Sequence, residues 1–478
     1  MPTNRRTREL LARVNFPLYT LQMLTSRHIL VAGGGGSSKT GVANGFEIFE
    51  LSHDGKRFVV DEVVRHETGL NAVMNCATSV GCGNTMAGHK IMLAAGQEGN
   101  CQLYSVSMEL MSSEDEKDDT VDETITKEGM VRRRRHGSET YYGTNGRGPT
   151  LPSMQTGGSK VEEVDDNRNT RRRITFDIQP KECIQTDFSK GEPLQRVVRL
   201  GRSSHLMATG GTDGHIRLWN FAPPSSANKT VQADDEEFPL PILHLDLSAH
   251  SKEVDDLALS PDDKWLVSIS KDGMAIIWDT KTGKELRKLT WEIPEGTKYL
   301  YKRCRFGVRP AGENGNCRLF TISNRVGWQG ARGLCKGGVG GFLHLWDPSP
   351  DGGPPSKSTT CGESLSALAV SDDGRFVSTG TMFSGSVDIF IAFSLQRVLH
   401  VEGAHSMFIT GLEFVPTAGE GEPPITSDTE AAVLSISVDN QVCIHSVASR
   451  STIPVSVAIA LIVIIMLCTF CLCSFLGL

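Results

Sequence analysis

The sequence has few aromatic residues and no surplus of basic ones. Aromatic side chains make up 6% of its 478 residues, and 49 Lys and Arg stand against 56 Asp and Glu, a net charge of −7. This balance argues against a dedicated nucleic-acid-binding protein, which usually carries a basic surface. The 49 glycines follow no three-residue period, which excludes collagen. A hydrophobic content of 39% excludes a wholly disordered chain.

The twelve cysteines lack the spacing of a zinc site. Before the C-terminal tail they are widely and irregularly spaced, without a pair of C-x-x-C units and without a His-x₃-His partner for a finger. They are best interpreted as reduced thiols buried as small hydrophobic side chains, which suits a reducing compartment.

The two ends of the chain differ in character. The N-terminus has no apolar run long enough for a signal peptide. The 26 residues from Ile453 to Leu478 contain no Asp, Glu, Lys, Arg or His, and roughly 20 helical residues span a bilayer. We predict a transmembrane helix at 453–475, a short lumenal tail at 476–478 and a cytosolic body at 1–450, which makes this a single-pass membrane protein.

Seven short segments share one pattern: a strand of small residues, a tight turn containing Gly, Asp or Asn, and an alternating apolar strand. Such turns supply a positive φ at little cost. The segments are Val31–Glu50, Ala94–Tyr104, Ala208–Trp219, Val267–Trp278, Gly337–Trp346, Ser378–Phe390 and Ser435–His445. A further short strand precedes several of them, so each unit is predicted to contain four antiparallel strands. The pattern predicts an all-β fold, a seven-bladed β-propeller closed into a ring.

The units resemble WD repeats. Two of them end in the signature dipeptide, Trp278-Asp279 and Trp346-Asp347. His250, with Ser268 or Ser270, Asp272 and Trp278, matches the His–Ser–Asp–Trp network of such blades. The same residue types also suit a hydrolase triad, but their positions in the repeat favour structural hydrogen bonds over catalysis.

Residues 106–180 do not fit a blade. Acidic residues are concentrated in 109–123, and Arg132–Arg135 is a run of four arginines. This composition predicts a disordered insertion within the second blade. The arginine run is interpreted as part of a solvated linker, with a nuclear-import, phosphate-binding or kinase-recognition stretch as the alternatives.

A glycine-rich loop runs from Gly33 to Gly45 and nearly matches the phosphate-loop pattern G-x-x-x-x-G-K-[ST], with Ser38 in place of the second glycine. Phosphate loops lead into a helix whose amides face the phosphate. Here the residues after Asn44 alternate like a strand, so ATP or GTP binding by this loop is not expected. The loop is predicted to protrude between the second and third strands of the first blade, where its carbonyls can surround a cation.

Several motifs resemble the prolactin regulatory element-binding protein family. They are FPLYTLQML (16–24), AGGGGSSKTGVANG (32–45), LAAGQEGNCQL (93–103), IQTDFS (184–189), ATGGTDGHIRLW (208–219) and IAFSLQRVLHVEGAH (391–405). The resemblance covers nearly the whole chain apart from the insertions. It implies a guanine-nucleotide exchange factor of the endoplasmic reticulum membrane, which activates the Sar-type small GTPase and starts COPII assembly. Such a factor performs no covalent chemistry and is not an enzyme in that sense.

The resemblance also implies roles for the glycine loop, which is similar to the family's potassium-binding loop. The family pattern K-T-G-I-x-N-G falls on residues 39–45. It implies that the loop contacts the GTPase through Lys39, Thr40, Gly41, Val42 and Asn44. It implies a potassium ion held mainly by backbone oxygens, at Gly41, Val42, Ala43 and Asn44. Because the loop is expected to protrude, substitutions at Val42 or Asn44 should reduce exchange with little change in stability.

Two other functions are compatible with parts of the sequence. A DNA-binding transcriptional regulator would use Arg132–Arg135 and Arg171–Arg173, but the net charge and the C-terminal apolar segment oppose it, so nucleic acid is not an expected partner. A passive membrane-tethered scaffold is opposed only by the glycine loop.

Overall fold

The computed structural model describes residues 9–37, 41–55, 57–80, 90–111, 173–202, 205–221, 239–309, 317–327, 339–417, 425, 429–449 and 455–476. The chain divides into two compact units, Met1–Glu109 with Phe176–Leu478, and Leu110–Thr175. In the second unit, the described residues are 110–111 and 173–175, and they belong to strands. The first unit contains seven four-stranded antiparallel sheets.

The first four sheets follow chain order. Blade 1 contains β2 (Leu18–Met23), β3 (His28–Gly34), β4 (Asn44–His53) and β5 (Phe58–Glu67). Blade 2 contains β6 (Asn75–Val80), β7 (Lys90–Gln97), β8 (Asn100–Met111) and β9 (Arg173–Gln185). Blade 3 contains β10 (Gln195–Leu200), β11 (Leu206–Gly211), β12 (Ile216–Phe221) and β13 (Pro241–Leu247). Blade 4 contains β14 (Val254–Leu259), β15 (Trp265–Ser270), β16 (Ala275–Asp279) and β17 (Glu285–Lys288).

The last blade is completed by the N-terminal strand. Blade 5 contains β18 (Tyr299–Val308), β19 (Cys317–Arg325), β20 (Gly341–Trp346) and β21 (Lys357–Cys361). Blade 6 contains β22 (Leu365–Val370), β23 (Phe376–Thr381), β24 (Val387–Ile391) and β25 (Gln396–Val401). Blade 7 contains β26 (Ile409–Phe414), β27 (Thr429–Ser437), β28 (Gln441–Ala448) and β1 (Glu9–Arg13), which pairs antiparallel with β28.

The first strands of consecutive blades touch one another around a closed ring, which ends with β26 against β2. Apolar clusters lie between neighbouring blades. One joins Leu18 and Ile29 of blade 1 to Ile436 of blade 7, and another joins Val197 of blade 3 to Leu257 of blade 4. Full burial of such a side chain contributes about 1.5–3 kcal/mol. The predicted seven-bladed propeller is confirmed, and each blade depends on its neighbours for its core.

The connections between strands lie on two faces of this ring. Backbone hydrogen bonds join the turn between the second and third strands of a blade to the connection into the next blade. The amide of His250 donates to the carbonyl of Gly214 at 3.2 Å, and that of His405 to Gly385 at 3.0 Å. We call this the glycine-loop face, because the β3–β4 connection belongs to it. We call the other the exit face, because β28, the third strand of blade 7, ends there.

The insertion predicted at 106–180 is shorter than expected at both ends. Strand β8 continues to Met111 and β9 begins at Arg173. Polar residues are compatible with these strand ends because a strand exposed on one face alternates polar and apolar side chains. The rest of the predicted insertion, 112–172, lies outside the described residues, as does Arg132–Arg135.

A helix, α1, spans Val455–Leu476. Among the residues that the structure describes, no helix is both long and apolar enough to cross a membrane. The transmembrane helix at 453–475 therefore stays a prediction, and residues 477–478 of the predicted lumenal tail lie outside the described residues.

Candidate functional site

The glycine loop connects β3 and β4 in blade 1, as the sequence predicts. Gly34 pairs with Asn44 at the base of the loop. Ser37 and Gly41 are exposed, whereas Ser38, Lys39 and Thr40 lie outside the described residues. A strand follows the loop, so the amide cluster of a helix N-terminus, on which a phosphate loop depends, is not formed here.

The side chain of Asn44 ties the loop together. Its Oδ1 accepts a hydrogen bond from the amide of Gly36 at 2.9 Å. Its Nδ2 donates to the carbonyls of Gly36 at 3.2 Å and of Gly69 at 3.0 Å. The side chain thus joins the two limbs of the loop and fixes them to the β5–β6 connection, residues 68–74. Asn44 therefore acts as a tie between backbone segments.

Two glycines permit this arrangement. At Gly34 φ is +143°, and a Cβ there would overlap the Asn44 side chain. At Gly41 φ is +77°, a left-handed conformation that costs other residues energy. The glycine content therefore serves a defined loop path as well as flexibility.

The expectation that Val42 and Asn44 carry no packing is wrong. Asn44 is only 5% exposed. Val42 is partly buried and packs against the apolar cluster shared by blades 1 and 7. The reason is position: Asn44 is the first residue of β4, so both residues lie at the root of the loop rather than at its tip.

Residues below the loop give it a rigid support. Glu47 of β4 is 1% exposed and forms an ion pair with Arg65, its neighbour on β5. Burial raises the pKa of Glu47, and Arg65 opposes that shift. The amide of Val73 donates to the carbonyl of Gly33 at 3.3 Å, so the β5–β6 connection also supports the other side of the loop.

The His–Ser–Asp–Trp network of blade 4 is confirmed as a structural element. His250 Nδ1 lies 3.0 Å from Asp272 Oδ2, and Nε2 lies 2.8 Å from Ser268 Oγ. Trp278 Nε1 donates to the same Ser268 oxygen at 2.9 Å. The order of these contacts, from Asp272 through His250 to Ser268, matches a hydrolase triad. However, Ser268 is fully buried and its oxygen already accepts a hydrogen bond from the indole N–H of Trp278. A substrate has no access to this serine.

Ser270 lies outside that network and donates instead to the Lys252 carbonyl at 3.1 Å. Blade 7 repeats the network with a histidine in the tryptophan position: His405 contacts Asp439 at 3.0 Å and Ser435 at 2.8 Å, and Ser435 contacts His445 at 2.8 Å. Among the described residues, no group of three His, Cys, Asp or Glu side chains is arranged to hold a metal ion.

Comparison with known proteins agrees with the fold. Residues 194–220 and 242–279 match the family described as "WD domain, G-beta repeat". The "Guanine nucleotide-exchange factor SEC12" of Mus musculus is 32% identical over 468 residues, which is 97% of this chain and 96% of that protein. This chain belongs to the SEC12 family of guanine nucleotide-exchange factors.

The SEC12 protein of Rattus norvegicus gives the same identity and coverage. Other relatives share much less of their length: "Ribosome biogenesis protein YTM1" of Scheffersomyces stipitis is 32% identical over 34% of this chain and 28% of its own. The resemblance to exchange factors that the sequence motifs indicate is confirmed by the SEC12 relatives.

The sequence indicates the loop but not its anchor points. Gly36 and Gly69 are 8 and 25 residues from Asn44. Nothing in the local sequence identifies Gly69 as a partner, because its contact depends on how β5 returns beside β4.

Proposed function

We propose that this chain is a guanine-nucleotide exchange factor for a Sar-type small GTPase at the endoplasmic reticulum membrane, where loading with GTP starts COPII vesicle formation. The observation that carries the proposal is the 32% identity to SEC12 exchange factors over 97% of the chain. The anchored glycine loop supports it, because its described residues Ser37 and Gly41 are exposed on one face of the propeller.

Exchange requires binding energy and no covalent step. A factor that binds the nucleotide-free GTPase more tightly than the GDP-bound form accelerates GDP release by that difference. A rigid loop suits this task because little conformational entropy is lost when it presses on the partner. Lys39, Thr40, Gly41 and Val42 would contact the GTPase, while Asn44 holds the loop in position.

The proposal also includes a potassium ion held by the loop. The carbonyls of Gly41, Val42 and Ala43 accept no hydrogen bond among the residues that the structure describes, and hard cations prefer such oxygens. Asn44 Oδ1 already accepts from Gly36, so its oxygen is a poorer ligand than these three. A bound ion would hold the carbonyls in one orientation and so stiffen the loop.

The same proposal includes a membrane anchor. The uncharged segment Ile453–Leu478 supports it, and an anchor would keep the product GTPase beside the bilayer. The propeller would face the cytosol, on the same side of the membrane as the GTPase. Asn228 in the sequence Asn-Lys-Thr should then be unglycosylated, and protease added to intact microsomes should digest the propeller.

The deciding experiment is GDP release from a purified Sar-type GTPase, followed by fluorescence of a labelled nucleotide. The full-length chain, kept in mild detergent, should accelerate release catalytically. Replacing potassium with lithium should slow it, because the smaller ion cannot reach as many carbonyls. If release is not accelerated in either salt, the chain is a tethered scaffold and the proposal is wrong.

A further inference from the structure

Exposed apolar side chains are distributed unequally between the two faces of the propeller. Most of those in the described loops lie on the glycine-loop face, among them Leu70, Phe188, Phe383 and Met407. In the described connections of the exit face there are two, Leu240 and Phe393. Apolar side chains concentrated on one face are typical of a protein-binding surface.

The exposed apolar residues nearest the glycine loop are Leu70 and Met74. Both lie in the β5–β6 connection, with exposures of 77% and 40%. This is the connection that Asn44 holds through the Gly69 carbonyl, one residue before Leu70. The amide of Thr68 also donates to the carbonyl of Asn44 at 3.0 Å. Hydrogen bonds at Thr68 and Gly69 therefore hold the start of the β5–β6 connection beside the loop, and Leu70 is the next residue.

Acidic side chains border this apolar pair. Glu67, the last residue of β5, is exposed and pairs with Gly45 at the loop base. Glu98 is exposed in the β7–β8 turn, two residues after Gly96, whose carbonyl accepts from the Met74 amide at 3.0 Å. Two exposed apolar side chains with two exposed carboxylates on neighbouring segments complement a partner surface that combines apolar residues with Lys or Arg.

We propose that Leu70 and Met74, bordered by Glu67 and Glu98, form a docking patch that captures the GTPase while the adjacent glycine loop drives GDP release. This inference rests on the proposed function and adds a division of labour to it. The patch contributes binding energy that is equal for the GDP-bound and nucleotide-free partner, whereas the loop distinguishes between them. Uniform binding changes the half-saturating concentration and leaves the maximal rate unchanged.

The test measures GDP release against GTPase concentration for the full chain carrying Leu70→Asp and Met74→Asp together. We expect the half-saturating concentration to rise about tenfold or more, with the maximal rate within about twofold of wild type. Leu240→Asp, at a leucine that is 53% exposed on the exit face, is the matched control and should behave as wild type. Thermal unfolding of all variants should coincide, because these side chains are exposed.

A second experiment reverses the charge of the two acidic residues that border the patch. Glu67→Lys with Glu98→Lys should weaken capture at low salt and converge with wild type at high salt, since exposed charges are screened. The docking patch is refuted if the Leu70/Met74 variant matches wild type, or if only its maximal rate falls. Failure of the proposed function has a different signature: wild type itself then neither accelerates release nor retains the nucleotide-free GTPase in a pull-down, and the docking patch fails with it.

Discussion

At the scale of single residues, Asn44 contributes most to the structure of the glycine loop. Glycine backbones sample many conformations, and one carboxamide with three hydrogen bonds restricts two separate parts of this loop. The family resemblance implies that Asn44 contacts the GTPase. In the structure, its side chain joins Gly36 of the loop to Gly69 of the β5–β6 connection.

Asn44→Ala should therefore affect both activity and stability. Its removal leaves the Gly36 amide and the Gly69 carbonyl without their partner, at a cost of about 1–3 kcal/mol, and the exchange rate should fall at least about tenfold as the loop loses its path. Urea unfolding and GDP release measure the two effects. Asn44→Asp keeps the acceptor but sets a carboxylate against two carbonyls, so it should not rescue exchange. Full activity of Asn44→Ala would show that the loop needs no tie.

Glu413 on β26 predicts a pH dependence of stability. Burial raises the pKa of its carboxyl to about 7, from 4.5, while Arg305 and Arg199 act in the opposite direction. A raised carboxyl pKa stabilises the folded state at low pH, and this contribution is lost as the pH rises through 7. Glu413→Gln should match wild type at pH 4 and exceed its free energy of unfolding by up to about 3 kcal/mol at pH 8. An equal difference at both pH values would contradict this assignment.

At the scale of elements, the Ser268 hydroxyl on β15 joins strand β16, through Trp278, to the connection before β14, through His250. Ser268→Ala removes the partner of both His250 Nε2 and Trp278 Nε1, leaving two buried polar groups unsatisfied. We expect a loss of about 2–4 kcal/mol in the free energy of unfolding, with unchanged exchange per folded molecule. Ser251→Ala, at an exposed neighbouring serine, is the control. Loss of exchange without loss of stability would instead favour a catalytic role.

The sequence was sufficient to predict the second and third strands of each blade, because their turns need Gly, Asp or Asn and their strands are buried. The fourth strand of a blade is harder to predict from sequence. For example, β17, Glu285–Lys288, is short and half-exposed, so its composition differs little from that of a loop. The ends of β8 and β9 were misplaced for the same reason. The partner of Asn44 was not predictable, because Gly69 reaches it only through the paired arrangement of β4 and β5.

At the scale of the whole molecule, ring closure depends on the pairing of β1 with β28. Glu9 faces Ile444 and Arg13 faces Gln441, more than 400 residues along the chain. Leu11 and Ala12 pack against the cluster that joins blades 7 and 1. Contacts this distant leave no periodic signal in the local sequence. The N-terminal strand therefore links the two ends of the propeller, and its loss should open the ring at one place.

Removal of residues 1–13 should lower the free energy of unfolding by about 2–4 kcal/mol, from the lost packing of Leu11 and the exposed edge of β28. An unpaired edge also recruits other chains, so light scattering should detect association. Removal of residues 1–8 leaves β1 intact and is the matched control. A synthetic peptide containing residues 9–14 should then restore both properties of the longer truncation, since an added strand can complete the sheet in trans. If both truncations are equally stable and monodisperse, β1 is dispensable and the ring is closed by the contact of β26 with β2 alone.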